Sequence, residues 1–215
     1  MTKRKGAAAG ETMNRLLSAA QTIFLQCGYK DASLRQICQK ANVTTGALYC
    51  FYRDKDALFE ALMRPFAEAL FQILTDHFHA EVHSRAEEDA VSRDFISRFI
   101  DFREENRELC GIFFANPEHP YCIEIQKELV DLFSGQTKAL LKRVNDEHIT
   151  HCVFNEDTIL WFSHIQVDMH LQVLRHPFSK EQATEQMRIY ARFLKGGFLE
   201  LVSPRFPEDD PTQPD

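Results

Sequence analysis

Within the segment Ser33–Lys55, SLRQICQKANVTTGALYCFYRDK, the residues Thr44, Thr45, Gly46, Ala47, Tyr49 and Cys50 form one compact set. They are small, weakly polar groups plus one long ring that carries a hydroxyl. A protein core does not require such a face. A DNA major groove does, because a helix there lies close to base edges and exchanges hydrogen bonds with them and with phosphates. Two short helices would position the set. Ser33 is placed as N-cap of the first, and Leu34, Ile37 and Cys38 recur at i, i+3 and i+4 as its apolar stripe. Ala41-Asn42-Val43 breaks the pattern, with Asn42 suited to a left-handed turn residue. Thr44 or Thr45 then caps a second helix that turns Val43 and Leu48 inward. The arrangement reads as a helix-turn-helix.

A longer pattern surrounds this unit. A helix ends in Cys27-Gly28-Tyr29, Ser33-Leu34-Arg35-Gln36-Ile37 follows, and Val43-Thr44-Thr45-Gly46-Ala47-Leu48-Tyr49-Cys50-Phe51-Tyr52-Arg53-Asp54-Lys55-Asp56-Ala57-Leu58 completes it. In order and spacing, residues 11–62 resemble the DNA-binding domain of the TetR/AcrR family of bacterial transcriptional regulators. The resemblance implies that Thr44, Thr45, Gly46, Ala47 and Tyr49 lie against DNA. It implies Lys55 at a phosphate and Arg35 at a guanine edge or a phosphate, with Ser33, Cys50 and Phe51 completing the DNA-facing set. An Arg on guanine is worth roughly 1–3 kcal/mol. Gly46 costs about 1 kcal/mol of helix propensity relative to Ala. Close approach of the backbone to DNA would explain that cost.

The charge distribution fits. The whole chain carries −7, which argues against a DNA binder if averaged. Residues 1–64, however, hold ten Lys and Arg against five Asp and Glu, a net +5, and the remainder nets −12. A basic N-terminal module on an acidic body suits phosphate neutralisation by one end only. The 215 residues allow one or two domains, and 44% hydrophobic content with 18 Phe suits a packed core. The cysteines (27, 38, 50, 110, 122, 152) form no CxxC pair, and Cys27 and Cys38 fall at core-like helical positions. The N-terminus lacks the apolar stretch of a signal peptide, and no run approaches the ~18 apolar residues of a membrane span. A cytoplasmic protein with free thiols and no membrane partner is expected.

Helical periodicity runs through the rest. Residues 1–10 read as a disordered basic tail, or as an arm whose Lys3, Arg4 and Lys5 reach DNA. Residues 11–27 form a helix burying Leu16, Leu17, Ala20, Ile23, Phe24 and Cys27, with Gly28 ending it. Asp54 caps a helix toward His79, and Pro65 predicts a kink or break near Arg64. Further helices are expected over 89–105, 107–115, 118–147, 155–175 and 179–202, with Asn155 or Glu156 opening one and Ser179 with Gln182 forming a capping box. The Pro-rich end, 204–215, reads as disordered. The expected fold is all-α: a three-helix helix-turn-helix head over 11–62 and an antiparallel helical bundle over 63–203, about nine helices, dimeric.

The bundle offers three candidate sites. Phe99, Phe102, Phe113, Phe114, Asn116, Phe133, Trp161, His164 and Asp168 would line a mostly apolar pocket with polar anchors for an unknown small-molecule effector. Phe162, Ile165 and Met169, with Met187, Tyr190, Leu194, Phe198 and Leu201, would face a second copy; in the resembled family the last two helices pair with those of a mate. The His77–His79–His83 group reads as a solvated helix end rather than a metal site, and neither the loose His148–His151–Asp157 group nor the i, i+4 pair His164–Asp168 is taken as one. No GxSxG, P-loop, GxGxxG or HExxH is present. Ser163 points about 100° away from His164 on a helix, so no triad forms there. The expected protein has no enzymatic activity, metal or cofactor. It is a dimeric repressor on palindromic double-stranded DNA, released by an effector; an activator, or an architectural or division regulator without an effector, is the alternative.

Overall fold

The computed structural model describes residues 2–80, 84–146 and 154–202, with side chains except those of 2–8, 85, 144 and 198–202. Nine helices and no strand occur among the described residues. They are α1 (Thr2–Asp31), α2 (Leu34–Ala41), α3 (Thr45–Tyr49), α4 (Lys55–Phe78), α5 (Arg85–Glu105), α6 (Arg107–Ala115), α7 (Pro120–Asp146), α8 (Glu156–Arg175) and α9 (Lys180–Val202). Local chemistry sets their starts. Ser33 Oγ accepts from the Gln36 N–H while the Gln36 side chain accepts from the Ser33 N–H, a closed capping box. Thr44, Asp54, Ser84 and Asn155 each accept a backbone N–H three residues on. Ser179 and Gln182 repeat the capping box before α9. Asn42 adopts φ 53, ψ 49 and ends α2.

The chain divides into two compact units, residues 1–125 and 126–215. In the first, α1 packs on α2, α4 and α6, and α4 packs on α5. Leu16, Phe24, Ile37, Leu48, Leu58 and Phe59 form the core beneath the helix-turn-helix, each almost fully buried. Burying one such side chain contributes roughly 1.5–3 kcal/mol. In the second unit, Phe133 of α7 packs on the His170 ring of α8, which meets Tyr190 of α9 edge-on. Ser134 donates to Ser163, and Ser163 donates to the Ile159 carbonyl, so the buried hydroxyl of Ser163 is satisfied.

Several expectations are corrected. Thr2–Gly10 continue α1 as helix, where the Gly/Ala-rich composition predicts a tail; residues 204–215 lie outside the described residues. Gly28 breaks α1 with φ 75, ψ 167, yet helix resumes to Asp31. Cys27 is exposed instead of buried. Pro65 does not break α4, which runs on through it with the proline at an exposed position. The first compact unit extends beyond the helix-turn-helix head to residue 125, because α1 packs against α6: Gln21 donates to Glu108 at 2.6 Å, and Leu25 lies beside Gly111.

Candidate nucleic-acid interface

The turn between α2 and α3 is set from outside the motif. Arg15 on α1 donates Nε to the Ala41 carbonyl at 3.0 Å and a terminal N–H to the Asn42 carbonyl at 2.6 Å. These are the last carbonyls of α2, which lack intrahelical partners. Leu48 anchors α3 from below, fully buried, leaving the other face outward. Thr45, Gly46, Tyr49 and Cys50 are exposed there, Tyr49 to 55%, while Ala47 and Phe51 are half-buried. The Cys50 thiol donates to the Gly46 carbonyl. Arg35 extends from α2 into solvent. A Cβ built on Gly46 would meet nothing nearer than Thr44 Oγ1 at 4.0 Å. The fold therefore has room for a side chain at 46, and the glycine leaves bare backbone facing outward.

Three residues expected at DNA have structural roles. Ser33 Oγ accepts the Gln36 N–H and donates to Gln36 Oε1, and Thr44 Oγ1 accepts the Ala47 N–H as the α3 cap, which uses its lone pair and not its O–H. Lys55 is half-buried, and its Nζ donates to the carbonyls of Tyr29 (2.7 Å), Lys30 (3.2 Å) and Ala32 (2.9 Å), over the Tyr29 ring at 4.3 Å. An ammonium has three donors, so none remains for a phosphate. Lys55 ties the start of α4 to the end of α1. Neither Arg15 nor Lys55 signals this in sequence, because their partners lie 23 to 27 residues away.

The expected pocket residues divide between the two compact units. Phe99, Phe102, Phe113 and Phe133 are closed into the cores of their own units. Phe114 stacks edge-on against Phe113, and Asn116 donates to the Ile112 carbonyl at the end of α6. Trp161, His164 and Asp168 lie on the exposed face of α8, opposite buried Ser163, Val167 and His170. One cleft among the described residues runs between α4 and α5, about 310 Å³, lined by Ile73, Asp76, His77, Val91, Phe95 and Arg98. Arg98 donates to Asp76 at 2.6 Å and holds its carboxyl below the usual range. His77 stacks on Phe95 at 4.2 Å rather than standing in solvent, and burial lowers its pKa. No group of three potential metal ligands occurs among the described residues. His83, His148 and His151 lie outside them.

The expected dimer face is corrected in part. Met187 and Tyr190 are buried within their own unit, and the Tyr190 hydroxyl donates to the Gln166 carbonyl at 3.3 Å. Phe162, Ile165 and Leu194 are half-buried, Met169 is exposed, and the side chains of Phe198 and Leu201 lie outside the described set. The apolar groups left open are Leu160, Trp161 and Met169 on α8, and Ile189 and Phe193 on α9. Trp161 is 60% and Phe193 69% exposed.

An outward-facing five-residue helix at the end of a helix-turn-helix, among described residues that are all-helical, defines a DNA-binding protein. Residues 16–62 match the family model described as bacterial regulatory proteins, tetR family. The uncharacterised HTH-type transcriptional regulator YdgC of Bacillus subtilis is 24% identical over 205 residues, covering 86% of this chain and 95% of that protein. The HTH-type transcriptional regulator SrpR of Pseudomonas putida is 38% identical over 63 residues, which span 29% of this chain and 30% of SrpR. A crystal structure of a Syntrophomonas wolfei protein assigned to the TetR family of transcriptional regulators superposes with a TM-score of 0.68 at 16% identity, over 88% of this chain and 97% of that one. Over residues 16–62 the chain is similar to the DNA-binding part of tetR-family regulators, and over most of its length it shares the fold of a TetR-family structure. Its relatives are regulators, and no described helix is long and apolar enough to cross a membrane.

Proposed function

We propose that this regulator acts as a dimeric repressor that binds a palindromic operator through α3 and is released by a small effector. The observation that carries the DNA reading is the bare Gly46 backbone beside exposed Thr45 and Tyr49, a surface with no packing purpose inside the chain. One five-residue helix reads only a half-site, so useful affinity needs a second copy, with half-sites about 34 Å apart. The exposed apolar side chains Leu160, Trp161 and Met169 on α8 and Ile189 and Phe193 on α9 support an apolar surface available to that copy. The α4–α5 cleft supports an effector site, at the small end of ligand-pocket volumes. Its mix of apolar wall and Asp76–Arg98 pair suits a largely apolar molecule with a polar end.

The test is gel-shift binding of the full chain to DNA upstream of its own gene, across a salt series with competitor, followed by transcription in vitro from the shifted fragment. A saturable shift of one fragment that falls steeply with salt, and a transcript reduced by occupancy, is expected. A transcript raised by occupancy makes the protein an activator. Equal binding to all fragments makes it an architectural binder, and no binding at low salt overturns the operator reading.

A further inference from the structure

The turn between α6 and α7 inserts a histidine where α1 meets α4 in the DNA-binding head. His119 is 8% exposed. Its ring stacks on Phe59 of α4 at 4.0 Å and meets Tyr29 of α1 edge-on at 4.7 Å. Nδ1 accepts the Tyr121 N–H at 3.2 Å, which caps the start of α7 and leaves the proton on Nε2. Nε2 has no hydrogen-bond partner and stands 3.6 Å from Asp56 Oδ1. The Tyr29 hydroxyl donates to that same carboxylate oxygen. Tyr29 is also the ring beneath Lys55, whose ammonium clamps the carbonyls at the end of α1. Asp56 lies in the first turn of α4, a few residues beyond the recognition helix. One imidazole thus touches both helices whose junction fixes where α2 and α3 sit.

We propose that His119 is a positioning residue for DNA binding: seated as the neutral imidazole between Tyr29, Phe59 and Asp56, it holds the α1–α4 junction in the conformation that presents α3. The inference rests on the DNA-binding role of the head but not on any effector. The groups facing the ring are Tyr29 from α1, Phe59, Lys55, Asp56 and Glu60 from α4, and the Tyr121 N–H from its own turn, while the nearby Lys30–Glu118 pair is solvent-exposed. Glu60 is itself paired with Arg64, which lies over Tyr121. Asp56 and Glu60 favour the imidazolium, but burial outweighs them and lowers the pKa. Protonation also places an N–H where Nδ1 now accepts one, and so removes the α7 cap. The sign follows. A histidine with a lowered seated pKa stabilises the seated state above the ordinary value near 6.5, and that contribution is lost as pH falls below it. At pH 5.5 the seated state is disfavoured by up to about tenfold relative to neutral pH.

The experiment measures affinity of the full chain for a duplex that the wild-type protein selects from random-sequence DNA, between pH 7.5 and 5.5. The variants are His119→Asn, which keeps an acceptor for the Tyr121 N–H, and His119→Phe, which keeps the ring. Wild type is expected to lose up to about tenfold in affinity on acidification beyond the loss either variant shows. His119→Asn should bind more weakly than wild type at pH 7.5 and should follow a flatter profile. The same profile in wild type and both variants overturns the proposal. If the variants fail to fold, or no duplex is selected, imidazole NMR of the wild-type chain decides. A His119 that keeps its proton on Nε2 and stays neutral below pH 6.5 upholds the seat. One that titrates at or above the ordinary value overturns it, independently of whether the head binds DNA.

Discussion

Replacing Lys55 with Met keeps the aliphatic stem and removes the ammonium, which separates two roles for this residue. In the structure Nζ donates to three backbone carbonyls, at 2.7, 3.2 and 2.9 Å, and lies 4.3 Å above the Tyr29 ring. Hydrogen bonds from a charged donor contribute about 1.5–3 kcal/mol each, and three sharing one ammonium do not add in full. The ammonium is also only half-buried, so part of its bonding is regained from water when the clamp opens. A net cost of about 2–4 kcal/mol follows. For a chain of this size 1 kcal/mol corresponds to about 2–4 °C, so Tm should fall by roughly 5–15 °C. A phosphate contact would behave differently. Its loss would leave Tm alone and reduce the slope of log affinity against log salt by about 0.9. Circular-dichroism melts and a salt series on Lys55→Met read both quantities. The reasoning is refuted by an unchanged Tm together with a salt slope lower by about one.

Three further outcomes are expected. Trp161→Glu combined with Phe193→Glu should yield monomers by light scattering at micromolar concentration, since these are the two most exposed large apolar side chains of α8 and α9; a persistent dimer places the interface elsewhere. Gly28→Ala should lower stability by about 1–3 kcal/mol, because φ 75, ψ 167 is a region that only glycine occupies readily; an unchanged melt means the backbone there is not held. Burial pushes the Cys110 thiol up to about 11 and the Cys122 thiol to about 12, whereas Cys27 and Cys50 are exposed. Cys27→Ser with Cys50→Ser should therefore remove two fast-reacting thiols at pH 8, and Cys110→Ser should change the thiol count only after denaturation. The reverse pattern would contradict the burial.

What the sequence determined by itself was what needs only neighbours along the chain. A cap is a bond between residues three apart, so Ser33, Asp54 and Ser179 could be read off directly, and the choices Thr44 or Thr45 and Asn155 or Glu156 were narrowed to one residue each by the structure. Asn42 in the left-handed region and the 3.6-residue apolar stripes are equally local, which made nine helices and a helix-turn-helix legible. The outward set read from that periodicity was Thr45, Gly46, Ala47, Tyr49 and Cys50, of which Ala47 is half-buried. Tertiary structure decided which polar groups were already spent. Lys55 could be assigned to DNA until its three carbonyls were in view, and Arg15 and His119 gave no signal because their partners belong to other helices. The same holds for the apolar faces. On α8 and α9 periodicity says that a stripe is apolar but not what it meets, so Met187 and Tyr190 turned inward while Trp161 and Phe193 were left open. An α-helix fixes the spacing of its side chains. Only the packing of several helices fixes which of those side chains still have an unused face.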